Sequence, residues 1–170
     1  PECYNTGADN AFCEHEPTLK IEDGVAKIEK VGAWLEYSNL DWENNYYVME
    51  YDVNVSALEN GAAVGFDSGE TTAWTDLRLS IKNIDGVYYA YNNLNAAGTA
   101  LGTIKSSFHV KYTFTMKENG LALEMTVSDG TNKYNVQCKS NATNPKLCWN
   151  VYTVQGGSAG AEYGSIDNFS

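Results

Sequence analysis

The residues Phe108-His-Val-Lys-Tyr-Thr-Phe-Thr-Met-Lys117 alternate between apolar and polar side chains. A helix cannot keep such a pattern on one face, because its period is 3.6, whereas a strand has a period of two. Phe108, Val110, Tyr112, Phe114 and Met116 therefore share one face, and His109, Lys111, Thr113, Thr115 and Lys117 the other. Leu121 to Val127 repeats the alternation after Glu118-Asn119-Gly120, and Asn-Gly favours a tight hairpin turn. Asp129-Gly130 then turns the chain into a third strand near 132–138.

The same signals recur along the chain. Short alternating stretches occur at 19–21, 25–28, 33–37, 46–55, 62–67, 77–81, 87–91, 149–154 and 163–169, with Asp23-Gly24 and Asp85-Gly86 as further turns. About twelve strands, with turn signals every ~8–12 residues, predict an all-β fold: an antiparallel β-sandwich, or jelly roll. No linker or repeat divides the 170 residues, so one domain over 1–170 is expected, with 1–17 as a disulfide-containing N-terminal segment. The small, polar stretches 92–102 and 155–161 are expected to be loops.

Charge narrows the partners. There are 22 acidic and 11 basic residues, a formal net charge of -11 and a single arginine, Arg78. Phosphate-rich partners need clustered Lys and Arg, so nucleic acid is excluded, as is an anionic membrane surface. No apolar run approaches the ~18 residues of a membrane-spanning helix. The four cysteines lack C-x-x-C spacing, and three pairings are open to them. The sequence-local one, Cys3–Cys13 and Cys138–Cys148, is expected, which implies an oxidising, extracellular setting. Three sequons, at Asn54, Asn141 and Asn168, agree with a secreted or surface chain. A chain starting at Pro1 agrees with a leader already removed.

Catalytic signals are sparse. His109 lies on the solvent side of its strand with no nucleophile elbow beside it, and His15 stands alone between Glu14 and Glu16. Glu50 and Asp52 share a strand face, as paired carboxylates for glycoside hydrolysis must approach one another. Their Glu-x-Asp resembles the start of the E-x-D-x-x-E signature of jelly-roll glucanases, but the third position is Val55. The chain is expected not to be an enzyme.

What remains is aromatic: 12 Tyr and 4 Trp in an Asn-rich setting. Aromatic faces stack on the C–H face of a pyranose, amides and carboxylates bond its hydroxyls, and no cofactor is required. Trp42 and Trp74 stand in turn-like stretches, Tyr88, Tyr89 and Tyr91 put aromatics on both faces of one strand, and Trp149 opens another. These six are the candidate ligand-binding residues; Trp34, Tyr112 and Phe114 are assigned to the core.

The order of elements carries a resemblance. Leu19-Lys-Ile-Glu-Asp-Gly-Val-Ala-Lys-Ile28, Tyr47–Val55, Ala63-Val-Gly-Phe66, the 108–127 meander and Gly164-Ser-Ile-Asp-Asn-Phe169 resemble, in sequence order, laminin-G/concanavalin-like jelly-roll domains of the carbohydrate-binding-module type. The first 17 residues do not fit it. The resemblance implies a structural calcium joining the first and last strands, with Asp167 as a ligand and Asp23 or Glu22 as its partner. The expected function is a non-catalytic carbohydrate-binding module attached to a larger secreted protein; its acidic balance and single Arg78 disfavour anionic glycans, so a neutral polysaccharide of the β-glucan, xyloglucan or xylan type is expected. The alternatives are an extracellular filament, pilus, adhesin or capsid-surface subunit, and a small glycan-active enzyme.

Overall fold

The structure is a computed structural model, which describes residues 19–28, 33–37, 46–68, 79–92, 98–117, 120–140, 147–154 and 164–168. All its regular elements there are strands: β1 Leu19–Glu22, β2 Val25–Ile28, β3 Ala33–Tyr37, β4 Tyr46–Asn54, β5 Ala63–Ser68, β6 Leu79–Ile84 and β7 Val87–Asn92. β8 Thr99–Thr103, β9 Ser107–Lys117, β10 Gly120–Ser128, β11 Lys133–Ser140, β12 Leu147–Val154 and β13 Gly164–Asp167 complete the set. They form two antiparallel sheets, ordered β1-β2-β13-β4-β9-β10-β11 and β3-β12-β5-β6-β7-β8. The expected β-sandwich is the architecture found.

Two of the predicted hairpins owe their geometry to Asp-Gly. Asp23 and Asp85 both take φ 53, and Gly24 and Gly86 follow at φ 82 and 83. Two consecutive left-handed residues match the twist of the flanking strands. Asn83 fixes the second hairpin from inside: its Nδ2 donates to Leu58 O at 2.7 Å and its Oδ1 accepts from Gly86 N at 2.9 Å.

The alternation of β9 and β10 holds from Phe108 to Phe114 and from Leu123 to Val127, while Met116, expected inward, is only half-buried and the Leu121 side chain lies outside what is described. Phe108, Val110, Tyr112, Phe114, Leu123, Met125 and Val127 join one core cluster with Tyr51 and Val53 of β4 and Ile166 of β13. Val64, Leu79, Ile81 and Ala90 enter it from the other sheet, so the two sheets pack face to face. Each buried Val, Leu, Ile, Phe or Met side chain among them contributes roughly 1.5–3 kcal/mol. The core also holds two tyrosine hydroxyls, Tyr51 and Tyr112, bonded to one another at 2.8 Å with ring centroids 5.8 Å apart. Burial pushes the Tyr51 phenol well above its usual pKa, so Tyr51 stays neutral.

One strand corrects the sequence reading. The stretch 92–102 was expected to be a loop, but Thr99–Thr103 forms β8, the edge of the six-stranded sheet. Thr-Ala-Leu-Gly-Thr has few large side chains to reveal a period. Pairing with β7, broken by a register shift at Ala90/Tyr91, makes it a strand. Gly102, at φ 152, lies where a Cβ would run into the Tyr134 ring. Tyr134 comes from β11 of the opposite sheet and donates to Thr103 O at 2.8 Å, which ties the two sheets together at this edge.

Candidate functional site

Each sheet has an outer face, and the two differ in chemistry. On the six-stranded sheet, Leu79, Ile81, Val64, Ala90 and Tyr88 turn toward the core. Strict alternation therefore puts Ala63, Gly65, Ser80, Lys82, Tyr89 and Tyr91 on the outer side. Register sets Ser80 between Gly65 and Tyr91, and Lys82 between Ala63 and Tyr89. Tyr89 and Tyr91 are half-buried. The Lys82 ammonium lies 4.2 Å from the centroid of the Tyr91 ring. An exposed pair of this kind is worth about 0.5–1 kcal/mol. The middle of the face is small and covered: Ala63 and Gly65 are buried, and Ser80 is 0% exposed. The same rows run on in the backbone of β12 and β3, where Tyr152 stands opposite Gly65, and Asn150 opposite both Asp67 and Trp34.

Among the described side chains, the outer face of the seven-stranded sheet is mostly polar, with Val48 exposed among them. Register puts Asp52 opposite His109 and Glu50 opposite Lys111. His109 Nδ1 lies 2.9 Å from Asp52 Oδ1 and its Nε2 lies 3.6 Å from Glu50 Oε2, while Lys111 Nζ reaches Glu50 Oε2 at 3.3 Å. Asn168 Nδ2 donates to the other Asp52 oxygen at 2.8 Å. The Asn168 amide and then His109 hold the Asp52 carboxyl below its usual pKa, and Lys111 does the same for Glu50. Tyr46, 54% exposed, starts the same strand face.

Beside this cluster is an open depression of about 600 Å³, whose polar lining includes Asn54, Ser107, Ser128, Asp129, Ser165 and Asp167. Asp129 is the knot of its rim. Its carboxylate accepts from the backbone N–H groups of Asn132, Lys105 and Thr131 at 2.7, 2.9 and 2.8 Å, and from the Asn132 side chain at 3.2 Å. Those donors, Asn132 N–H first, hold its pKa well below the usual carboxylate range.

Of the residues singled out from the sequence, Tyr89 and Tyr91 share an outer face. Tyr88 does not: it packs against the core and its hydroxyl donates to Ser56 O at 3.2 Å. The alternation of β7 makes this unavoidable, since Ala90, two residues on, is a core residue. Trp149 is placed by its backbone only, opposite Ser68 and Leu35. Trp42 and Trp74 lie outside the described residues, as do Cys3 and Cys13. Cys138 and Cys148 are placed by backbone in β11 and β12, strands of opposite sheets. Their side chains are outside what is described, so the pairings remain expectations.

The implied calcium needs six to eight oxygens. Asp23 sits exposed in the β1–β2 turn, and Asp167, at the end of β13, accepts from Asn168 N at 2.8 Å. Among the described residues, no group of three or more His, Cys, Asp or Glu side chains is gathered for a metal. The described side chains do not by themselves supply such a ligand set.

Sequence reasoning missed two things. It left His109 apart from Glu50 and Asp52, because only the pairing of β4 with β9 joins them. It also passed over Ser80 and Lys82, although alternation with Leu79 and Ile81 already put both on the outer face.

No family model and no curated protein sequence matches the chain. Solved structures do. A bifunctional GH43-CE protein of Bacteroides eggerthii superposes on 92% of this chain with a TM-score of 0.65 at 12% identity, and Trypanosoma rangeli sialidase on 95% with 0.55 at 13%. The carbohydrate recognition domain of Emp46p, in a metal-free form, superposes on 89% with 0.53 at 11%. This likeness is one of fold. The chain spans only 22% and 28% of the two enzymes but 83% of the recognition domain. The sandwich is thus jelly-roll-like, of an architecture that recurs in a carbohydrate recognition domain and in parts of longer sugar-processing enzymes.

Proposed function

We propose that this chain is a non-catalytic carbohydrate-binding module of a secreted or surface protein, and that it holds a neutral polysaccharide on the outer face of the six-stranded sheet. The observation that carries this reading is the pair Tyr89 and Tyr91, side by side on that face and outside the core cluster. Support comes from the fold, shared over most of its length with a carbohydrate recognition domain and with parts of longer sugar-processing enzymes. A net charge of -11 favours β-glucan, xyloglucan or xylan over anionic glycans. Affinity is expected between micromolar and millimolar, about −8 to −4 kcal/mol.

A second reading, glycan hydrolysis, has one observation behind it: Glu50 and Asp52 flank His109 beside the depression. Both carboxyls have lowered pKa values, so both are ionised at neutral pH. Glycoside hydrolysis by a carboxyl pair needs one of them protonated, with a raised pKa. The binding reading is therefore preferred.

An affinity-gel screen of the purified chain on β-glucan, xyloglucan and xylan tests it. Retardation on one class, without release of reducing sugar, is the expected result; no retardation on any would sink the reading. Running it with and without EDTA tests the calcium: loss of retardation supports a metal at Asp167, and unchanged retardation removes it.

A further inference from the structure

Ser80 is 0% exposed, and its Oγ is the one buried side-chain polar atom without a hydrogen-bond partner among the described residues. Native folds rarely leave a buried hydroxyl unpaired, because it has lost water and gained nothing. Its position makes this informative. Ser80 faces away from the core, since Leu79 and Ile81 on either side belong to the cluster. Its in-register neighbours are Gly65, which has no side chain, and Tyr91, half of the tyrosine pair. The unpaired hydroxyl thus belongs to the aromatic face.

The described side chains beside it on that face are Tyr91 and Lys82. Lys82 follows two residues along the same strand face, and its ammonium reaches back to 4.2 Å from the Tyr91 ring centroid. The ammonium occupies one face of a ring that a pyranose would use. Exposed cation–π pairs are weak, so a ligand able to stack on Tyr91 can displace it.

We propose that Ser80 is a binding residue: a glycan stacking on Tyr91 moves Lys82 off the ring, and a sugar hydroxyl completes the Ser80 Oγ. This rests on the proposed use of the Tyr89–Tyr91 face and adds its hydrogen-bonding subsite. It also means that Ser80 is carried at a cost to the unliganded fold, as binding residues often are.

Ser80→Ala separates these ideas, because it removes the orphan atom and adds nothing. Thermal unfolding and binding to the glycan class retained in the gel screen are measured on wild type, Ser80→Ala, Lys82→Ala and Tyr91→Ala. The expected result is a Ser80→Ala protein with equal or higher Tm and roughly five- to tenfold weaker binding, by the loss of one hydrogen bond. Lys82→Ala is expected to bind as well as wild type or better. If Ser80→Ala binds like wild type while Tyr91→Ala binds poorly, the Ser80 role is overturned and the aromatic face stands. If Ser80→Ala melts lower, its hydroxyl has a structural partner and the inference fails as well. A wild-type chain that binds no glycan overturns both.

Discussion

The two outer faces teach opposite lessons about polar residues. The seven-stranded face has the chemistry usually sought in a site: two carboxylates around a histidine, a lysine, several hydroxyls and an open depression. Yet its charged groups are already engaged with one another or with neighbouring amides. Asp52 is bonded by His109 and Asn168, Glu50 by Lys111, and Asp129 takes four donors from its own turn and from Lys105. Among the described side chains, the six-stranded face carries two half-buried tyrosines and, beneath them, the buried orphan hydroxyl of Ser80. A surface binds with what it has not already used, so the face of Tyr89 and Tyr91 is the better candidate.

The largest expected effect breaks the comparison directly. Tyr91→Ala should weaken glycan binding by about 1.5–3 kcal/mol, the value of burying a large apolar side chain, and Tyr89→Ala by a similar or smaller amount. On the other face, Tyr46→Ala, Glu50→Gln and His109→Ala should leave affinity within a factor of about two, near ~0.5 kcal/mol. Isothermal titration of the five variants decides it. If the second group loses affinity and the first does not, the faces have been assigned the wrong way round.

The next effect is on stability and sharpens the view that the polar face is structural. Asp129→Ala removes an acceptor for three backbone N–H groups that join the β10–β11 turn to Lys105. Solvent can replace part of what is lost, so the cost is expected at about 1–2 kcal/mol. For a domain of this size that lowers Tm by roughly 3–6 °C. Glycan affinity, measured below the new melting range, should not change. An Asp129→Ala protein with wild-type Tm would show that the turn holds without its carboxylate.

Much of the fold was legible because its signals are local. The alternation of 108–117 and 121–127 and the Asp-Gly turns at Asp23 and Asp85 rest on neighbouring residues, and each is found in place. β8 was hidden because Thr, Ala, Leu and Gly show no contrast, and its identity depends on a partner strand. The candidate site was legible by halves. Alternation alone excluded Tyr88 from the face of Tyr89 and Tyr91, once Ala90 was known to be core. Which of two alternating faces turns inward, and which residue of β6 stands beside which of β7, are facts of register that no single strand encodes.

The smallest expected effect is the pH dependence of the polar face. Asp52 and Glu50 have lowered pKa values in the fold, through Asn168 and His109 in one case and Lys111 first in the other. Carboxyls of this kind contribute stability that is whole above their unfolded value near ~4 and is lost as pH falls through the folded value. Wild-type Tm should therefore decline below about pH 4. Asn168→Ala removes the first cause of the Asp52 shift, and should flatten that decline while leaving Tm at pH 7 only slightly lower. These groups are largely solvated, with exposures of 37% for Glu50 and 50% for Asp52, so screening keeps the difference small. Salt provides the control: raising ionic strength should shrink the Lys111–Glu50 contribution more than the neutral amide bond from Asn168. An acid limb that is identical in wild type and Asn168→Ala would mean that Asp52 draws nothing from that amide, and the view of a face spent on itself would lose one of its best-defined bonds.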